Sequence, residues 1–254
     1  MSEARQLVVA ILAAGKGKRM GNPDLAKVLT PLEGRPLLGY VLDQASALSP
    51  TAVVVIVGHQ ADAVSAFVSA TMPSAATALQ SEQLGTGHAV MQTRPTLGAL
   101  DADVLILSGD VPLVRASTLA QLVASHRDGK ADCTVLTTSI PDPTGYGRVV
   151  ANADGTIDRI VEHKDASETE RAISVINSGI YVVNSQVLFE ALDRVRNDNA
   201  QAEYYLTDIV QILRADGRVV RHFHTTDHTE VLGINTPAEL SVAQNILEHR
   251  RTGS

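Results

Sequence analysis

The sequence predicts an α/β protein with a doubly wound, mostly parallel sheet and a smaller β-rich lobe. Four short apolar runs, typical of buried strands, alternate with stretches of helical periodicity, an order that favours parallel strands joined by helices. After Pro141 the pattern changes to turns and short strands. A chain of 254 residues is also long enough to bury one large core. We therefore expect a single domain with a lobe inserted in it.

The elements of the sheet follow from these patterns. The predicted strands are 7–12, 52–57, 103–107 and 133–138. The predicted helices are one that begins at Pro36, and those over 61–70, 86–93 and 117–127. Ser117 is of a type that caps helices, and we expect it to cap the last of them.

The lobe is predicted from its turns and strands. Asp154 and Gly155 stand between two β-like runs, and this dipeptide is a strong hairpin signal. Helical periodicity resumes near Gln186. We expect one domain over 1–254. This domain divides into an N-terminal part with the parallel strands over about 1–140, the lobe over about 141–235 and a C-terminal helix over about 236–250.

Composition excludes several classes of partner. The net charge of -7 and an aromatic content of 3% argue against binding nucleic acid or an anionic membrane. No apolar run approaches the roughly 20 residues of a membrane span, and the first residues do not resemble a secretory signal. We expect a cytoplasmic protein. Cys133 is the only cysteine, which we interpret as a small buried strand residue.

A glycine-rich loop follows the first predicted strand. Glycines there let backbone N–H groups approach an anion. Gly15 and Gly17 match the first two glycines of the dinucleotide fingerprint, but Met20 stands where the third is required. The Walker pattern is absent as well. The loop is therefore not of either common type.

Cationic side chains gather beside those glycines, namely Lys16, Lys18, Arg19 and Lys27. Such a cluster suits a polyphosphate that carries several negative charges. The alternative is that these are solvated charges around a tight turn. The loop alone leaves both interpretations open.

Further motifs follow the loop along the chain. In order, they are LAAGKGKRM (12–20), AKVL (26–29), LQSEQLGTGHAV (79–90), LSGDVPLV (107–114), DPTGYGRVV (142–150), IVEHKDA (160–166), INSGIYV (176–182), NAQAEYYLTDIV (199–210) and LGINTP (232–237). The series resembles the sugar-1-phosphate nucleotidyltransferases. Within them it is most similar to the N-terminal uridyltransferase part of bacterial bifunctional UDP-N-acetylglucosamine pyrophosphorylases. The resemblance extends nearly from end to end.

The resemblance implies a reaction and its partners. N-acetylglucosamine 1-phosphate would attack UTP, giving UDP-N-acetylglucosamine and pyrophosphate, with Mg²⁺ as the cofactor. Both substrates are small molecules. A transfer of this kind depends on positioning and charge neutralisation, so we expect no serine or cysteine nucleophile.

The resemblance also implies the residues of the nucleotide and metal sites. The implied nucleotide-binding residues are Leu12, Ala13, Ala14, Gly15, Gln80, Gln83, Gly85 and Thr86. Arg19 would meet the leaving pyrophosphate and Lys27 would place a charge beside the phosphates, which makes these two the catalytic candidates. Asp110 and Asn235 would hold Mg²⁺ through oxygen atoms. On its own, Asp110 is equally well interpreted as a turn residue.

For the sugar, the resemblance implies a site in the lobe. Its implied members are Gly147, Glu162 and Asn177, with Tyr204 and Tyr205 as part of the wall. Asn177 has an alternative role as the cap of a turn. The lobe is therefore expected to be the sugar-binding part of the domain.

Histidines suggest other sites that we do not favour. His88 could be mistaken for a catalytic base, but we expect a structural histidine at the start of a helix. The run HFHTTDH (222–228) superficially suggests zinc, yet its alternation favours an exposed strand edge.

The sequence departs from the family in places. Ala26 stands where the family usually has proline, and Ser108 where some relatives carry an aromatic residue. The hexapeptide repeats of an acetyltransferase domain do not occur in these residues, so acetyl transfer is not predicted.

Two alternatives to the implied activity stay open. The chain could transfer a nucleotide to another sugar 1-phosphate. It could also be a nucleotide-sugar-binding module without turnover. The presence of Arg19, Lys27, Asp110 and Asn235 together argues against this alternative, because a binding-only protein has less use for charges that act in the transition state.

Overall fold

The computed structural model describes residues 5–22, 24–152 and 156–252. The strands are β1 (Gln6–Ala13), β2 (Pro31–Leu32), β3 (Arg35–Pro36), β4 (Ala52–Val57), β5 (Ala76–Leu79), β6 (Ala102–Ser108), β7 (Cys133–Ser139), β8 (Arg148–Ala151), β9 (Ile157–Val161), β10 (Val175–Asn184) and β11 (Val220–His224). The α-helices are α1 (Leu37–Ala47), α2 (Ala61–Thr71), α3 (Thr86–Met91), α4 (Arg94–Leu97), α5 (Ala116–Asp128), α6 (Glu168–Arg171), α7 (Ser185–Leu192), α8 (Asp208–Ala215) and α9 (Pro237–Thr252).

The central sheet confirms the predicted α/β class. Its strand order is β11-β7-β10-β6-β1-β4-β5. Strand β1 runs parallel to both β4 and β6, and β4 runs parallel to β5. The exception is β10, which is antiparallel to β6 and β7. Because β10 also pairs with β8, it joins the central sheet to the lobe.

Both faces of the sheet are buried, as a doubly wound fold requires. Successive residues of β1 point to opposite faces: Val8 and Ala10 belong to one core cluster, Val9 and Ile11 to the other. All four side chains are fully buried. The near-continuous apolar run that predicted this strand therefore reflects burial on two sides.

Most predicted helices are present, but two details differ. The stretch predicted as one helix over 86–93 ends at Met91 as α3, and α4 follows. The prediction of Ser117 as a cap is wrong, because α5 begins at Ala116 and Arg115 precedes it without a side-chain cap. Distant side chains satisfy the helix start instead: Gln44 Oε1 accepts from the Ala116 N–H at 2.8 Å. A partner 72 residues away cannot be read from the local pattern.

The lobe contains the expected antiparallel pair, β8 with β9. The turn predicted at Asp154 and Gly155 lies outside the described residues. As predicted, Cys133 is buried in a strand, and the histidine run begins in β11 at one edge of the sheet. Within the described ranges, no helix combines the length and the apolar character needed to cross a bilayer.

Candidate active site

A cleft of about 470 Å³ opens where β1, β4 and β6 end at the same edge of the sheet. Open α/β sheets bind ligands at this edge. The cleft is lined by all eight residues implied to bind the nucleotide, together with Lys27 and Asp110. Lys16, Gly17, Val28, Ala89, Ser108 and Glu203 complete the lining.

The glycine-rich loop enters the cleft directly from β1. The loop is tied to its neighbours by backbone hydrogen bonds: the Ala14 carbonyl accepts from the His59 N–H at 3.1 Å, and the Leu12 carbonyl from the Gly109 N–H at 2.9 Å. Gly17 has a φ of 58°, and a Cβ there would lie 2.6 Å from Cβ of Lys27. Glycine is therefore required for this turn to pass so close to Lys27.

Lys27 lies at the centre of the charged groups. Its Nζ donates to Asp110 Oδ2 and, at 2.9 Å, to Asn235 Oδ1. The Asn235 side chain is oriented by a second bond, because its Nδ2 donates to the Gly233 carbonyl at 3.2 Å. The Ile234 N–H donates to the Asp110 carbonyl at 2.9 Å. The structure thus brings together three predicted site residues that are up to 208 positions apart.

The donor set around Lys27 also bears on the predicted metal. Asp110 and Asn235 direct one oxygen each to the same cationic point. Carboxylate and amide oxygens are ligands that Mg²⁺ accepts while phosphates and waters fill its other positions. The residues present therefore fit a divalent cation.

The loop between β5 and α3 forms the opposite wall. Gln80 is only 3% exposed, and its Nε2 donates to the Gly85 carbonyl at 3.0 Å. The Gln83 Nε2 donates to the Gln80 carbonyl at 3.2 Å. His88 also contacts Gln80, its Nδ1 lying 3.1 Å from Nε2, which agrees with a structural role for this histidine. The two glutamines thus fix the shape of the wall that they line.

A segment after α7 crosses this wall at its glycines. Gly85 has a φ of 109°, and a Cβ there would lie 2.6 Å from the Tyr204 carbonyl oxygen. The Gly87 N–H donates to that same oxygen at 2.8 Å. The backbone at Leu206 is held too, because its N–H donates to Thr86 Oγ1 at 3.1 Å. This contact brings Glu203 into the cleft.

The three residues implied to bind the sugar lie together in the lobe. A Cβ on Gly147 would lie 3.5 Å from Asn177 Cβ and 3.6 Å from Glu162 Oε1. The Asn177 N–H donates to the Gly147 carbonyl at 2.9 Å. The register between β10 and β7 shifts between Asn177 and Tyr181, and interruptions of a ladder such as bulges commonly re-aim side chains beside functional sites.

Glu162 is partly buried and lies in an acidic environment. Burial raises the pKa of its carboxyl, while a hydrogen bond from Thr207 Oγ1 lowers it in part; that bond is 3.2 Å long. Burial also raises the pKa of Asp208 to about 6, with the charges of Asp198 and Asp165 adding to the effect. Nearby, burial is the main reason that the pKa of Tyr205 is raised to about 12.

The sugar residues adjoin the nucleotide cleft. The Asn177 Oδ1 accepts from the Gly179 N–H at 3.0 Å, and a Cβ on Gly179 would lie 3.3 Å from Ser108 Oγ, which lines the cleft. Tyr146 precedes Gly147 in the chain and also lies near two predicted residues of the nucleotide and metal sites, Asp110 and Arg19. Burial raises the pKa of the Tyr146 hydroxyl, the negative charge of Asp110 adds to this, and the charge of Arg19 opposes it.

Among the described residues, one cationic side chain near the glycine-rich loop does not line the cleft. Arg19 is exposed and lies outside the cleft lining, near Tyr146. The side chain of Lys18 lies outside the described residues. Sequence reasoning did not single out Tyr146, Glu203 or Thr207. All three fall inside quoted motifs, so the motifs located them but gave no local reason to select them.

Fold and site together define an α/β protein with a glycine-rich loop and cationic side chains in a cleft at the ends of its parallel strands, the architecture of a nucleotidyltransferase. The family described as nucleotidyl transferase matches residues 8–229. The chain belongs to this family, which confirms the resemblance found in the motifs.

Two relatives show which members of the family the chain is similar to. "Bifunctional protein GlmU" of Brevibacillus brevis is 48% identical over 240 residues, covering 94% of this chain and 51% of that protein. The protein of the same name from Streptomyces avermitilis is 46% identical over 253 residues, covering 98% of this chain and 52% of that protein. The chain thus spans about half the length of these relatives.

A solved structure supports the fold independently. The crystal structure of a UDP-glucose pyrophosphorylase complexed with UDP-glucose superposes with a TM-score of 0.77, covering 96% of this chain and 99% of that one. Its sequence identity is 16%, so this likeness concerns the fold alone.

Proposed function

We propose that this chain transfers a uridylyl group from UTP to N-acetylglucosamine 1-phosphate, with Mg²⁺ as the cofactor. The single observation that carries the proposal is the convergence of Lys27, Asp110 and Asn235 beside the glycine-rich loop. The relatives named GlmU support the choice of this reaction within the family.

The proposed chemistry is a displacement at phosphorus. A phosphate oxygen of the sugar phosphate forms a bond to the α-phosphorus of UTP, and the bond from that phosphorus to the bridging oxygen of the β-phosphate breaks. Pyrophosphate leaves with the electron pair of the broken bond. Charge builds on the phosphate oxygens, so groups fixed in advance to meet that charge lower the barrier.

The chain's own residues would divide this work. Backbone groups of the Ala13–Gly15 loop would face the phosphates, and Lys27 would place its ammonium among them. Arg19 would meet the leaving pyrophosphate with its planar set of donors. Asp110 and Asn235 would hold Mg²⁺, which when bound neutralises phosphate charge.

Recognition would use the two walls. The loop of Gln80, Gln83, Gly85 and Thr86 would receive the uracil, with amide and backbone groups along the base edge. Glu162 and Asn177 would accept and donate hydrogen bonds to sugar hydroxyls, and Gly147 would leave room for the ring. The partners are therefore small molecules.

The test is a pyrophosphate-release assay with a panel of sugar 1-phosphates and all four nucleoside triphosphates. We expect turnover with UTP and N-acetylglucosamine 1-phosphate, loss of turnover with a chelator, and recovery on adding Mg²⁺. Arg19→Ala should slow turnover. Turnover with a different pair would identify another sugar-1-phosphate nucleotidyltransferase. Calorimetric binding of UDP-N-acetylglucosamine without any pyrophosphate release would instead identify a binding module.

A further inference from the structure

The residue before Lys27 is held through both of its backbone polar groups. Lys27 begins a short helical turn, Lys27–Leu29, and Ala26 precedes it. Ala26 is 1% exposed. Its N–H donates to Gln60 Oε1 at 2.7 Å, and its carbonyl accepts from the Leu29 N–H at 2.8 Å. The point from which the Lys27 side chain starts is therefore fixed.

Gln60 reaches Ala26 from the loop that follows β4, residues 58–60. The same loop contacts the glycine-rich loop, because the His59 N–H donates to the Ala14 carbonyl at 3.1 Å. Gln60 has a φ of 52°, a left-handed conformation that residues with a Cβ rarely adopt. Such conformations persist where surrounding contacts hold them, and they cluster at functional sites.

We propose that Gln60 is a positioning residue for Lys27, acting through the Ala26 amide. This inference rests on the proposed function, in which Lys27 must meet the phosphates. The hydrogen bond of the Gln60 carboxamide fixes the chain before Lys27 from 34 residues away. Gln60 itself touches no reacting atom in this proposal.

The hydrogen bond from the Ala26 N–H constrains the chain before Lys27 in the way that a proline ring would. A proline in this place would have no N–H to donate. The φ of Ala26 is -56°, which lies within the range that a proline ring imposes. Gln60 therefore supplies by a hydrogen bond the constraint that a ring would supply covalently.

The first test is Gln60→Met, which removes the acceptor at nearly constant size. We expect kcat to fall about tenfold, because Lys27 acts mainly on charge that develops in the transition state. The KM for the sugar phosphate should change less than twofold. Hydrogen exchange of the Ala26 amide, followed by NMR, should become faster. The matched control is Gln121→Met, on the exposed face of α5, which should leave all three quantities unchanged.

The second test uses proline in place of the hydrogen bond. In Ala26→Pro the ring would occupy the place of the N–H that points at Gln60 Oε1, so this variant alone should be slow. Adding Gln60→Ala removes the obstruction, and the double variant should recover most of the wild-type kcat. A double variant slower than either single variant would overturn the proposal.

The outcomes separate the two proposals. If the wild-type protein releases no pyrophosphate with any substrate pair, the proposed function fails. If the Ala26 amide exchanges equally fast in the wild type and in Gln60→Met, the positioning role fails, whatever the activity. A fall in kcat with faster Ala26 exchange and recovery in the double variant supports both.

Discussion

Two neighbouring regions are built in different ways. One is the part of the cleft that we propose binds the nucleotide, called here the nucleotide side, and the other is the adjoining part of the lobe that we propose binds the sugar, called the sugar side. On the nucleotide side, residues at the ends of the buried strands β1 and β6 line the cleft, and Lys27 supplies a positive charge. On the sugar side, side chains from separate elements meet, and the carboxyls of Glu162 and Asp208 have raised pKa values. One side is therefore set by the geometry of the sheet and the other by titratable side chains.

The largest effect is expected from removing the charge of Lys27 on the nucleotide side. We expect Lys27→Met to lower kcat by about 10²–10³-fold, because one preorganised charge at a developing anion contributes that much. The KM for the sugar phosphate should change little if the two sides act separately. Initial rates of pyrophosphate release measure both quantities. Lys130→Met, in the exposed turn after α5, is the control, and equal rates for the two variants would contradict the assignment of Lys27.

The next largest effect is expected at the contact between Gly85 and Tyr204. In Gly85→Ala the new Cβ would lie 2.6 Å from the Tyr204 carbonyl oxygen, at a φ of 109°. We expect a loss of about 3 kcal/mol in the free energy of unfolding, since backbone strain and a backbone collision combine. Urea titration measures it.

The matched control for that variant is Gly217→Ala. Gly217 has a φ of 70°, but a Cβ there would meet nothing within 4 Å. We expect Gly217→Ala to lower the free energy of unfolding by about 1 kcal/mol, from the left-handed backbone alone. Equal losses in both variants would show that the contact with Tyr204 contributes no stability.

The same contrast explains what the sequence could predict. The strands beside the cleft are continuous apolar runs. The bounds of β4 agree with the predicted run AVVVIV, and β1 and β6 extend one residue beyond the predicted runs at each end. The eight residues that the motifs imply for the nucleotide all line one cleft. They come from two short segments, one at the end of β1 and one after β5, and these two strands flank β4 in the sheet. Periodicity and local motifs were enough here.

Contacts between distant segments could not be predicted in that way. The start of α5 is satisfied by Gln44 and not by Ser117, and Ala26 is held by Gln60. The orientation of Glu162 depends on Thr207, 45 residues away. No local pattern encodes such pairs, since each depends on how the sheet brings its loops together.

A smaller effect is expected from the sugar side. Glu162→Gln keeps the shape of the side chain and removes its charge. We expect the KM for the sugar phosphate to rise roughly 10–100-fold, as the loss of a hydrogen bond to a charged group implies, with the KM for UTP nearly constant. Steady-state kinetics with each substrate varied in turn measure this split. Glu168→Gln, exposed on α6, should change neither value, and a rise in the KM for UTP alone would contradict the sugar role of Glu162.

The smallest effect concerns the pH dependence of stability on the sugar side. Burial raises the pKa of Asp208 from 3.8 to about 6, so the folded protein holds this proton more tightly than the unfolded chain. The resulting contribution to stability is fully present below the unfolded pKa and is lost as the pH rises through 6. Asp208→Asn should therefore stabilise the protein only above about pH 4.

We expect that gain to reach about 1 kcal/mol at pH 7, because Asp208 is only partly buried and begins α8, where the helix dipole favours its charge. Thermal unfolding at pH 4, 6 and 8 measures the trend. Asp62→Asn, in the first turn of α2 but exposed, should show no comparable gain. If the gain from Asp208→Asn were the same at all three pH values, titration of Asp208 would not be its cause.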